Sequence, residues 1–158
     1  MLKRNPEPAK TITRPTETVM AQPARDTGVG GSSLDKMTSS CATELMNAAV
    51  SFHKLHLKVT GTGSYAAHKA LNDLYDALPG HGDDLVEGYQ GAAEKLLSYT
   101  EMVPRTLDDV ADGVNYIRDI TAMVTKLQGQ MPYSEIVNSL DTVKDTLNSA
   151  KYKLLFLK

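Results

Sequence analysis

Tryptophan is missing from this chain, phenylalanine occurs twice and cysteine once. A single thiol excludes an internal disulfide, and Cys41, set among apolar positions, reads as a small core residue. An intracellular site of synthesis is therefore expected. No apolar run approaches the about 18 residues of a membrane span, and no apolar core of a signal peptide follows Lys3-Arg4, so neither spanning a membrane nor export across one is expected. A large excess of one charge is lacking too. The 17 basic and 19 acidic residues leave a net charge of −2, far from the basic footprint of a dedicated nucleic-acid binder. Strand signals are absent.

What is present divides at about residue 34. Residues 1–34 hold four of the seven prolines and three of the eleven glycines but few large apolar side chains, so they cannot offset the entropy of ordering and read as a flexible or extended N-terminal tail. Five basic residues against three acids give this tail +2, leaving −4 for residues 35–158. From Leu34 the pattern becomes helical: Leu34, Met37, Cys41, Leu45, Ala48, Phe52, Leu55 and Val59 recur at steps of three and four. Ser33 and Asp35 are its expected caps. Gly61-Thr62-Gly63-Ser64 is expected to end this helix and cap the next. The second stripe, from Tyr65 through Leu78 and on from Leu85 to Leu97, is interrupted by Pro79-Gly80-His81-Gly82, which predicts either one long kinked helix or two consecutive ones, with His81 in the turn. Pro104 is expected to open a third helix and Pro132 to end it. A seam from Ile136 to Leu157 makes the fourth. The expectation is an all-α, antiparallel four-helix bundle over residues 35–158.

Residues with metal-binding chemistry concentrate between positions 53 and 112. His56 lies near the end of the first helix and His68 near the start of the second, so the turn brings both imidazoles to one end of the bundle. Asp83 and Glu87, at i and i+4, share a face further along. The 15 residues from His68 to Asp83 rise roughly 22 Å on a continuous helix, too far for one metal within one chain. Two copies pairing their second helices antiparallel would place His68 of one near Asp83 and Glu87 of the other. His53 reads as a spare ligand or a solvated residue, Asp108, Asp109 and Asp112 as acids suited to a helix N-terminus, and Tyr65, Tyr75 and Tyr89 as packing. No Glu-x-x-His pair occurs, so an internal di-iron site is not expected.

The segments His56-Leu57-Lys58-Val59-Thr60-Gly61 and Ser64-Tyr65-Ala66-Ala67-His68, followed by Asp83 and Glu87, resemble the ligand region of the Dps proteins, the mini-ferritins. Leu57 replaces that family's usual Trp, and Asn72 stands where an acid is frequent. The phrases His53-Lys54-Leu55-His56-Leu57, Glu87-Gly88-Tyr89-Gln90-Gly91 and Lys151-Tyr152-Lys153-Leu154 are similar to a group of ferritin-like tailed-bacteriophage proteins. The resemblance implies a ferritin-like bundle that forms a homo-oligomer and binds iron at His56 and His68 of one chain and Asp83 and Glu87 of its partner, with Fe(II) oxidation as the activity. The alternative is a virion structural component without catalysis, attached to other virion proteins through residues 1–34. A third reading makes the tail a weak DNA-binding arm. The expected location is the host cytoplasm during synthesis and, on the structural reading, the virion.

Overall fold

Ser32 and Asp35 form a reciprocal cap in the computed structural model of the chain, which describes residues 32–157: the Ser32 hydroxyl accepts from the Asp35 amide, and the Asp35 carboxylate accepts from the Ser32 amide. The two orphan amides so satisfied fix the start of α1, Ser33–His56, one residue earlier than the expected Ser33 cap. Three further helices follow: α2, Ser64–Ala93, α3, Val110–Gln128, and α4, Ser134–Phe156. The described residues contain no strand.

α1 packs on α2 and α3, and α4 packs on α2 and α3, giving the cyclic order α1, α2, α4, α3. Short turns join α1 to α2 and α3 to α4. Gly61 and Gly63 occupy the left-handed region in the first turn, at φ +83° and +77°, which a side chain would resist. Ser64 begins α2 without capping it; Gly63 holds the cap position with no side-chain bond. Gly113 of α3 sits against Leu55 and Phe52 near the end of α1, and Tyr133 before α4 meets Tyr89 near the end of α2. Neighbouring helices are thus antiparallel. α2 and α3 start at the same end, so residues 94–109 must traverse the bundle's length, the arrangement of ferritin-like folds with one long crossover.

α2 is continuous through Pro79, which decides between the two expected forms. Pro79 is exposed, so water can serve the carbonyl that its missing amide leaves free. His81 consequently lies within a helix rather than a turn, its Nε2 at 2.9 Å from the Thr146 hydroxyl of α4. The third helix departs further from expectation. Pro104 lies in the extended crossover, and α3 starts at Val110, capped by the Asp109 carboxylate on the Asp112 amide while the Asp112 carboxylate accepts from the Asp108 amide. This acidic cap outcompetes the weaker start that proline offers.

Charged and polar contacts fasten the crossover, and Leu107 anchors it in the core. Lys95 reaches Asp35 at 2.6 Å, Arg105 reaches Glu44 at 3.1 Å and Asp119 at 2.7 Å, and Lys58 donates to the Leu107 carbonyl at 3.0 Å. Beneath it the core is continuous, with Leu45, Phe52, Leu71, Leu78, Ile117, Val124, Leu140 and Leu147 fully enclosed. Each such side chain contributes about 1.5–3 kcal/mol of transfer free energy. Cys41 is among them, and burial pushes its thiol up to about 12.

Candidate metal centre

The last turn of α1 and the first turn of α2 meet through two histidines. His56 Nδ1 lies 2.9 Å from the His68 carbonyl, and His68 Nδ1 lies 3.2 Å from the His56 carbonyl. A carbonyl can only accept, so each Nδ1 carries the proton. In the neutral rings both Nε2 atoms then hold a lone pair, the state a transition metal requires. The rings stack with centroids 3.6 Å apart and planes inclined by 25°. His56 is buried and His68 exposed, so the pair is braced from inside and opens to the surface.

Two side chains complete this corner: Tyr75, which the sequence read as packing, and His53, which it read as a spare ligand or a solvated residue. Tyr75, two turns after His68, sets its ring edge-on to His56 at 5.2 Å and stacks flat on His53 at 4.2 Å. Its hydroxyl donates to Asn72, whose amide donates to Asp76. The spacings His53 to His56 and His68 to Tyr75 carry this signal, but it becomes legible only when α1 and α2 are laid side by side.

Asp83 and Glu87 stand elsewhere. Both are exposed on α2, one turn apart, and neither side chain takes part in a hydrogen bond or ion pair among the described residues. The helix between them and His68 is unbroken, so the roughly 22 Å rise applies. Among the described residues no group of three His, Cys, Asp or Glu side chains is placed to hold a metal ion within one chain. One chain therefore presents an imidazole pair where α1 meets α2 and a carboxylate pair further along α2.

The other ionisable clusters are structural in geometry. Asp35 accepts from Tyr89 at 2.6 Å and from Lys95; burial alone would raise its pKa, but Lys95, Tyr89 and Ser32 together hold it well below the ordinary range. Burial and the Asp35 carboxylate push the Tyr89 phenol up to about 12. Tyr116 lies under the Arg105 guanidinium, 4.1 Å from its ring centroid. Asp108, Asp109 and Asp112 serve the α3 cap.

Residues 56–154 match the model of the family of unknown function DUF5856, and the chain belongs to that family. It is 29% identical over 110 residues to an uncharacterized 14.6 kDa protein in the mobD-ri intergenic region of Enterobacteria phage T4, covering 70% of this chain and 81% of the phage protein. The fold is similar to the crystal structure of Dps92 from Deinococcus radiodurans, with a TM-score of 0.59 at 18% identity over 77% of this chain and 82% of that one. The ferritin-like, Dps-like architecture and the relation to a phage protein follow from these matches. No helix among the described residues is long and apolar enough to cross a membrane.

Proposed function

We propose that two copies of the chain bind Fe(II) as substrate between them, with His56 and His68 of one and Asp83 and Glu87 of the other, and pass its electron to peroxide or dioxygen. The observation that carries this reading is the reciprocal pair of Nδ1 to carbonyl hydrogen bonds, which leaves both Nε2 lone pairs available. Neutral imidazole and carboxylate together suit a borderline divalent metal such as iron, and a set of few protein ligands leaves coordination positions for the oxidant. The carboxylates lie too far along α2 to serve their own histidines, so the reading requires a homo-oligomer.

Fe(II) oxidation by purified protein, followed by the absorbance of the ferric product, tests it. His56→Ala/His68→Ala and Asp83→Asn/Glu87→Gln should each lose the activity, and mixed oligomers of the two should recover part of it, because one shared site regains all four ligands. Activity equal to wild type in both variants would sink the proposal. The relation to a phage protein favours a second reading, a virion component attached through residues 1–34, most of which lie outside the described residues. Absence of the protein from purified particles would dismiss it.

A further inference from the structure

At the end of the bundle opposite the histidines, a groove of about 500 Å3 runs between the first two turns of α1 and the last turns of α3. Met37, Met123 and Leu127 form its apolar floor, and the exposed Ala122, Lys36 and Lys126 stand on its rim. Neither lysine takes part in an ion pair among the described residues. Ser33 also lines the groove, so the segment that precedes α1 joins the bundle at its edge.

We propose that this groove binds the chain's own N-terminal segment, with Val19 and Met20 on the apolar floor and Glu17 between Lys36 and Lys126. Three observations select that occupant. At about 500 Å3 the groove has room for more than one side chain, and within residues 1–31 two large apolar residues are adjacent only at Met1-Leu2 and Val19-Met20. Lys3-Arg4 follows the first pair and would meet the rim lysines as like charge, whereas Glu17 precedes the second and complements them. Reach is sufficient: the residues between Met20 and Ser32 span up to about 40 Å when extended, several times the roughly 10 Å that the groove occupies along α1. Burial of both apolar side chains, with a charge pair at the rim, is the kind of contact that orders a polar segment against a folded domain.

Disulfide trapping in the full chain tests this, because Cys41 is fully buried and does not compete. Val19→Cys with Ala122→Cys should form an intrachain disulfide at least about 10-fold faster than Val19→Cys with Asn138→Cys, whose second cysteine lies on the exposed face of α4 at the same end of the bundle. Equal rates would overturn the proposal, and so would an interchain dimer, which would assign the groove to a second copy. A second measurement covers variants that perturb folding: trypsin cleavage after Arg25, between the docked residues and α1, should quicken about 5-fold in Lys36→Glu/Lys126→Glu. Adding Glu17→Lys should restore the slow rate. Unchanged cleavage with an unchanged circular dichroism spectrum would count against the docking.

Discussion

His56 and His68 each donate a ring proton to the other's backbone carbonyl, so one pair of side chains closes the junction between α1 and α2 and prepares two ring nitrogens in the same step. Removing either ring breaks both the stack and one hydrogen bond. In urea unfolding, His56→Ala and His68→Ala should each lower stability by about 1–2 kcal/mol. The double variant should cost less than the sum, since the two share one interaction. Strict additivity would show that the rings act independently.

Asp35 gives a prediction in pH. Its folded pKa lies below the ordinary 3.8, so its contribution is fully present above that value and is lost as pH falls below it toward the folded one. Asp35→Asn should therefore lower stability at neutral pH, by about 2 kcal/mol for the charge-assisted bonds from Lys95 and Tyr89. The gap between wild type and variant should narrow below about pH 4. A gap of constant size down to pH 2 would show that the carboxylate is not held ionised by its partners.

Cys41 is fully buried, and its thiol is pushed up to about 12. At pH 8 the folded protein should resist a thiol-specific chromogenic reagent for as long as it stays folded, and should react with one equivalent after denaturant is added. Rapid reaction of the native protein would mean that the middle of α1 opens locally.

Glycines in the helices separate by what surrounds them. A Cβ on Gly113 would meet Cδ2 of the enclosed Leu55 at 2.8 Å, so Gly113→Ala should destabilise by about 1–3 kcal/mol. Nothing lies within 4 Å of the same atom on Gly80 or Gly91, where alanine should stabilise by about 0.5–1 kcal/mol each. Thermal unfolding of the three variants checks the opposite signs.

The helices were legible because their apolar stripes were long, and the glycine turn beside His56 and His68 announced that those residues would meet. Pro79 misled in one of its two expected forms, since an exposed proline can be carried within a helix whose core face is secured by Leu74, Leu78 and Leu85. Pro104 misled for a different reason. Its fixed φ is compatible with a helix start, but the aspartates of residues 108–112 supply the hydrogen bonds that set it. The stack of His53 on Tyr75 was not legible, because it depends on the lateral register of two helices rather than on spacing within one.

The crossover's fastenings have a consequence of their own. Lys95 and Arg105 hold its earlier part largely by charge, at partly exposed positions, whereas Leu107 anchors its end in the same apolar core that holds the helices. Added electrolyte screens the first kind of contact and leaves the second intact. Ionic strength is thus a dial that slackens the crossover ahead of Leu107, and amide exchange around Lys95 and Arg105 should quicken with salt while the centres of α1 and α4 stay protected.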